Sequence, residues 1–325
     1  MTARWRAGVA TLAATVMLTV TGGCGLHSSS GAFVSGQSVD GRHPLAGASI
    51  VVTSKSFTEG VILGKMTVTL LAAEGAKVTD MTNAPGSMSA RQAQTSGHAD
   101  IQWEYTGTGW VSYLGQSSVI SDPHELWQQV HDRELRNGLT WLPPANFNDT
   151  YAFAMNDAQY KRTGIRTMSD IRKLPPAQRT FCVDAEFASR PDGLGPMLVK
   201  YSMPLGAPGG VPRTAITTMD QGIVYTATAK GTCLFGEVYT TDGRIKNLNL
   251  HVLQDDRHYF LPYSGTPVIR TVVLQRYPQI GPIVDEISKR LSDSVMQELN
   301  GRVDIDGEDP ATVAADWLRS QHLIR

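Results

Sequence analysis

ASIVVTSKSFTEGVILGKMTVTLLAAEGAKVTDM, residues 48–81, is the stretch from which the fold class is read. Ser49 to Thr53 is a short apolar strand. Thr58 to Glu74 then carries apolar residues at Val61, Ile62, Met66, Val68, Leu70 and Leu71, roughly helical spacing, and Gly75 ends the helix as a residue suited to a left-handed C-cap. Lys77 to Met81 is the second strand. The alternation continues outward with a helix over Ser87 to Ser96 and a third strand, Ala99 to Glu104, that runs into Tyr105-Thr106-Gly107-Thr108-Gly109. A second unit begins near Tyr151, with strands at Tyr151 to Met155, Thr180 to Asp184, Thr232 to Tyr239 and Leu248 to Leu253. Between them lie a short helix from Ser169 to Lys173 and a longer one from Asp220 to Lys230. Thr271 to Leu299 reads as helix–turn–helix, and a last helix spans Pro310 to Ser320. Such alternation predicts an α/β architecture with largely parallel sheet.

The amino terminus predicts the compartment. Arg4 and Arg6 precede an apolar stretch, Gly8 to Val20, that is too short to span a bilayer comfortably. Thr21-Gly22-Gly23-Cys24 follows and resembles a bacterial lipobox, although Thr21 stands where Leu is usual. The expectation is a lipoprotein signal over residues 1–23 with Cys24 lipidated, which anchors the chain to the cell membrane on its extracytoplasmic side. The alternative is a plain secretory signal with an incidental cysteine. Residues 24–47, rich in Gly and Ser, are expected to be a flexible tether with a reach of about 25 Å.

Loss of residues 1–23 removes Arg4 and Arg6 and takes the formal charge from −1 to about −3, so no basic excess exists to drive nucleic-acid binding. Cys182 and Cys233 are the cysteines left after Cys24, each in a short apolar run. In an oxidising compartment they favour a disulfide, with two separate buried thiols as the alternative. The sequence has no zinc-type His/Cys spacing, no GxSxG elbow and no phosphate-cradling glycine loop, which argues against an enzyme.

Seven runs, in order along the chain, carry a more specific signal. They are Ser54-Lys55-Ser56-Phe57-Thr58-Glu59 with Ile62-Leu63-Gly64, Glu104-Tyr105-Thr106-Gly107-Thr108, and Phe147-Asn148-Asp149-Thr150-Tyr151-Ala152. Glu186-Phe187 with Arg190-Pro191-Asp192-Gly193 follows, then Met219-Asp220-Gln221-Gly222 and Tyr239-Thr240-Thr241-Asp242-Gly243-Arg244-Ile245. The last is Leu253-Gln254-Asp255-Asp256 through Pro262-Tyr263. Together they resemble the glycine betaine/carnitine/choline-binding proteins of ABC transporters over residues 49 to 320, with Asp149 as a departure where that family's segment carries Asn.

The resemblance implies a type II periplasmic-binding-protein fold, with two α/β lobes joined by a two-segment hinge and ligand in the cleft. Residues 48–150 plus 257–325 would form lobe 1 and residues 151–256 lobe 2, with crossing connections near 149–153 and 254–262. It also implies a monomer that needs no cofactor and delivers a small quaternary amine to permease and ATPase subunits. Matched residue by residue, Tyr105, Tyr151, Tyr239 and Tyr263 would cage the cation. Arg190, Lys55 and Thr108 would hold the ligand's carboxylate, Arg190 by its planar fork.

Other readings stay open for some of these residues. Arg190 could instead form a salt bridge with Asp184, Glu186 or Asp192, and Lys55 could be a solvated surface charge. Asp242 and Arg244 are read as stabilising their own turn, and Asp255 and Asp256 as hinge or surface charges, because adjacent residues on an extended segment point to opposite faces. Trp103, Trp110 and Tyr225 are expected to pack the lobes. The same fold could also serve a different small ligand or a sensory role.

Overall fold

The computed structural model describes residues 33–325; the signal segment and Cys24 lie outside the described residues. Ten strands follow in chain order: β1 Ser49–Lys55, β2 Lys77–Ala84, β3 Ile101–Tyr105, β4 Leu139–Trp141, β5 Tyr151–Asn156, β6 Phe181–Val183, β7 Ile216–Thr218, β8 Phe235–Tyr239, β9 Leu250–Val252 and β10 Gly265–Arg270. They form two five-stranded sheets, ordered β2-β1-β3-β10-β4 and β7-β6-β8-β5-β9. The chain therefore builds most of one lobe, crosses to make the second, and returns to finish the first.

The opening unit forms as its pattern predicts. β1 pairs in parallel with β2 and β3, and the helix between β1 and β2, Thr58–Ala73, is buried along nearly its whole length. Its apolar residues fill the core between sheet and the closing helix Pro310–Ser320, and its one buried lysine, Lys65, meets Asp80 at 2.6 Å. A charge so placed needs a partner, because desolvation alone would cost several kcal/mol.

Both sheets are mixed, not largely parallel. β10 runs antiparallel to β3 and β4, and β5 antiparallel to β8 and β9. The sequence pattern hides β10, whose run GTPVIR is short and holds Pro267 in a central strand, where it lacks a ladder N–H. The expected helix–turn–helix over 271–299 is instead three helices, Thr271–Arg276, Ile280–Ser288 and Asp293–Asp304. The first stops before Pro278, and Ser292 caps the third by accepting from Val295 N. Residues 33–47, expected as tether, lie against the first lobe. Leu45 is buried, the Thr69 hydroxyl donates to Val34 O at 3.2 Å, and Arg325 N donates to Gln37 O at 3.0 Å.

Two connections join the lobes and are laced together. Asp149 N donates to Tyr263 O at 3.0 Å, the Thr150 hydroxyl to Leu261 O at 3.0 Å, and Tyr263 N to Asn148 Oδ1 at 2.7 Å. In the second lobe Cys182 of β6 and Cys233, just before β8, form a disulfide with Cα atoms 5.6 Å apart. Trp103, Trp110 and Tyr225 are core side chains, as their sequence contexts suggest.

Candidate functional site

A cleft of about 810 Å³ lies between the lobes, and Tyr105, Tyr151, Tyr239, Tyr263, Lys55 and Thr108 all line it. Strand pairing places two of the rings. Tyr151 opens β5, Tyr239 closes β8, and the antiparallel register sets them directly opposite. Side chains so paired share one face of a sheet, and these rings meet edge-on with centroids 5.2 Å apart. Tyr263, from the returning connection, stands at 90° to Tyr151 at 5.2 Å. Gly107 permits that position, since a Cβ there would lie 2.7 Å from the Tyr263 ring.

Tyr105 ends β3 and joins the others through Phe57, which is 5.8 Å from Tyr105 and 5.6 Å from Tyr239. Phe57 lines the cleft too, and sequence reasoning passed over it. The available signal was an aromatic ring flanked by Ser56 and Thr58 in a strand-to-helix turn, where a core role is hard to arrange.

Burial pushes all four phenols well above their ordinary range, so the rings are neutral. Three of the hydroxyls have distinct partners. Tyr105 donates to Glu59 Oε1 at 2.6 Å, and Tyr239 approaches Asp184 Oδ2 at 3.5 Å. Tyr263 donates to Asp192 and accepts from Arg190 Nη2 at 3.2 Å.

The two basic groups differ from a simple pair of free donors. Lys55 Nζ donates to the fully buried Glu104 at 2.7 Å and lies over the Tyr105 ring at 4.4 Å and the Phe57 ring at 5.5 Å. Arg190 stands behind the Tyr151 and Tyr263 rings, with its guanidinium 5.4 and 5.8 Å from their centroids. Its fork is closed on Asp192, Nε to Oδ1 at 2.8 Å and Nη2 to Oδ2 at 2.9 Å. The expected two-pronged grip on a ligand therefore has a resident carboxylate in its place. Nη1 faces elsewhere: it donates to Glu186 Oε1 at 3.2 Å and reaches the Thr108 hydroxyl at 3.5 Å.

Acidic groups line the cleft as well: Asp184 and Glu186 come from the second lobe, beside Asp149 and Asp304 from the first, and burial raises the Asp184 carboxyl. Burial would raise Glu186 as well, but Lys55, the Ser87 hydroxyl and Arg190 outweigh it and hold this carboxyl below its ordinary value. Glu186 reaches across to the first lobe, where it accepts from the Ser87 hydroxyl and from Ser87 N at 3.2 Å. Ser87 belongs to the first turn of the helix Gly86–Thr95, which has no side-chain cap of its own.

Asp242 and Arg244 pair with each other within their turn, Arg244 Nε lying 2.9 Å from Asp242 Oδ1, and Arg244 also meets Asp304 at 3.3 Å. Asp255 accepts from the Tyr201 hydroxyl and from Phe260 N at 2.9 Å, while Asp256 accepts from Ser169 N at 3.0 Å. These two carboxylates serve separate loops. Among the described residues no group of His, Cys, Asp and Glu is arranged to hold a metal ion, and no helix is long and apolar enough to cross a membrane.

Comparison with known proteins gives this arrangement a context. Residues 48–320 match the family model for the substrate binding domain of ABC-type glycine betaine transport systems. A glycine-betaine-binding protein of Pseudomonas aeruginosa is 42% identical over 281 residues, 84% of this chain and 88% of that protein. A carnitine transport binding protein of Listeria monocytogenes is 28% identical over 296 residues, 90% of this chain and 93% of that protein. Among solved structures, that of a glycine betaine/carnitine/choline ABC transporter superposes with a TM-score of 0.67 at 26% identity, covering 85% of this chain and 98% of that one.

Proposed function

We propose a function from this premise: the chain belongs to the family of substrate-binding domains of ABC-type glycine betaine transport systems. It captures glycine betaine or a related quaternary-ammonium solute in the interlobe cleft and hands it to the permease and ATPase subunits of an importer. It is a binding protein, not an enzyme. It works outside the cell membrane, held there through a lipid on Cys24.

The observation that carries this reading is the convergence of Tyr105, Tyr151, Tyr239 and Tyr263, from four separate segments, on one cleft. A trimethylammonium group has a full charge but no N–H to donate, so a carboxylate facing it loses hydration without gaining a hydrogen bond. Neutral ring faces attract the charge and pack the methyls. Each ring contributes about 0.5–1 kcal/mol when exposed and about 2 kcal/mol when desolvated. Three or four rings thus approach the ~8 kcal/mol of micromolar binding before association costs are counted. One ring could not. The ligand's carboxylate is met by Lys55 and Thr108, while Arg190, which stands outside the cleft lining and is held by Asp192 and Glu186, supports them from behind through its Nη1 contact with the Thr108 hydroxyl.

A second reading has a specific observation behind it. Lys55 and Arg190 are both already ion-paired, and Asp184 and Glu186 line the same cleft. That balance suits a cation without a carboxylate, such as choline. Calorimetry with glycine betaine, carnitine, choline and ectoine separates the two. Under the first reading Arg190→Ala weakens the carboxylate-bearing ligands more than choline; equal losses remove Arg190 from carboxylate recognition, and no binding of any quaternary amine overturns the function.

A further inference from the structure

We infer that Glu59 and Asp149 hold a single proton between them through the Thr241 hydroxyl, and that this proton-bridged brace positions Tyr105 and Tyr239 across the cleft. The inference rests on the binding role proposed above only for its consequence, not for the bridge itself.

Proton counting carries it. The Thr241 hydroxyl lies 2.6 Å from Glu59 Oε2 and in hydrogen-bond contact with Asp149 Oδ1. A hydroxyl has one proton to donate and otherwise accepts. It serves one carboxylate as donor, and the other acid must donate to it; two ionised acids would leave lone pair against lone pair. Glu59 already has the donors of an ionised carboxylate: the Tyr105 hydroxyl at 2.6 Å, Asn300 Nδ2 at 3.1 Å and Thr241. Asp149 has beside that hydroxyl only a long contact from Thr241 N, at 3.3 Å, so it is the more weakly solvated carboxylate of the two. The proton therefore belongs on Asp149, which donates to Thr241, which donates to Glu59.

The surroundings favour keeping it there. Glu59 is 2% and Asp149 5% exposed. Facing them are Tyr105 from β3, Asn300 and Asp304 from the helix Asp293–Asp304, and Asp242 with Arg244 from the turn after β8. Arg244 is taken up by Asp242 and Asp304, and Lys55, on the far side of Tyr105, by Glu104. Burial first, and the Glu59 charge second, push the Asp149 carboxyl well above its ordinary range; burial also raises Glu59, against the three donors that lower it.

The brace spans both lobes and the connection between them. Glu59 lies in the first turn of the helix Thr58–Ala73, Asp149 in the first connection, and Thr241 two residues past Tyr239 in the second lobe. A donor chain from Asp149 through Thr241 to Glu59 meets Tyr105 at its end. An acid raised in the native state is held protonated there, so the stabilisation is complete at low pH and is lost as pH rises from the ordinary carboxyl range through the raised value.

The test uses the mature protein, with Asp149→Asn and Asp149→Ala, in two measurements. Infrared spectra at neutral pH should show one carboxylic-acid C=O band in wild type that Asp149→Asn lacks. The buried Glu237, also raised well above its ordinary value by burial, gives a band common to both. Glycine betaine affinity in wild type should fall about tenfold as the proton is lost, the cost of one buried hydrogen bond. Asp149→Asn, whose amide donates to the same hydroxyl without titrating, should lose the fall in affinity with rising pH; Asp149→Ala should bind more weakly at every pH. Should Asp149→Asn misfold, Glu59→Gln, which reverses the donor direction, should remove that fall instead. Matching infrared spectra, or the wild-type fall with rising pH persisting in the amide variants, would overturn the bridge. If glycine betaine does not bind at all, the proposed function fails while the infrared comparison still decides the bridge.

Discussion

Tyr151 and Tyr239 of the second lobe differ from Tyr105 and Tyr263 in what holds their rings. The first pair sits opposite one another on β5 and β8, and Tyr239 N is further pinned by donating to the Tyr225 hydroxyl at 2.9 Å. Backbone register fixes those rings whether or not their hydroxyls are bonded. Tyr105, paired with Gly265 at the end of β3, and Tyr263, on a connection, have hydroxyls that bind Glu59 and Asp192. One half of the proposed cage is held by strand register alone, and the other carries polar anchors at its hydroxyls. In the proposed cage all four contribute a ring face, so the two halves separate under substitutions that keep the ring and remove only the oxygen.

The largest effect comes from deleting a face. Tyr151 touches Phe187, Tyr239, Phe260 and Tyr263, with centroids 4.9 to 6.3 Å away. Tyr151→Ala should weaken glycine betaine binding about thirtyfold, or ~2 kcal/mol for a desolvated ring. Unchanged affinity in calorimetry would remove Tyr151 from the cage. Next comes the test of anchoring. Tyr263→Phe strips Asp192 and Arg190 of their shared partner and should cost about fivefold in affinity, ~1 kcal/mol. Tyr239→Phe removes a hydroxyl that is 3.5 Å from Asp184, a weak contact, and should stay within about twofold. Equal losses in the two variants would erase the distinction between the halves.

The sequence made the register-held half easier to read than the anchored half. Strands opening at Tyr151 and closing at Tyr239 follow from short apolar runs, and a sheet end is where such folds hold ligands. Glu59 and Asp149 gave no local sign of their partners, because Glu59 meets Thr241 from 182 residues away; for Asp192 the pairing with Arg190 was among the readings left open, but not its contact with Tyr263, 71 residues on. Arg190 shows the same limit from the other side. Its fork and its carboxylate preference are chemical facts of the residue, but Asp192, two positions on, satisfies them before any ligand arrives. β10 escaped for a different reason: six residues with an internal proline carry too little periodicity to stand out, and its place between β3 and β4 is fixed by tertiary pairing alone.

A modest effect concerns what brings the halves together. Glu186, on the second lobe, supplies the uncapped helix Gly86–Thr95 of the first lobe with an acceptor at Ser87 N and the Ser87 hydroxyl, a contact that exists only while the lobes are close. A carboxylate at a helix N-terminus stabilises by about 0.3–1 kcal/mol. Because the lobes meet in lowering this carboxyl below its ordinary value of 4.5, the contribution is complete above that pH and is lost as pH falls through the lowered value. Glu186→Gln keeps an acceptor and removes the charge, so glycine betaine affinity at neutral pH should drop about two- to threefold. The acid limb of the wild-type binding profile should flatten at the same time. Tyr151 and Tyr239 ride on the same lobe as Glu186, so a loss confined to neutral pH with the acid limb intact would mean that their own packing, not this cross-cleft charge, closes the cage.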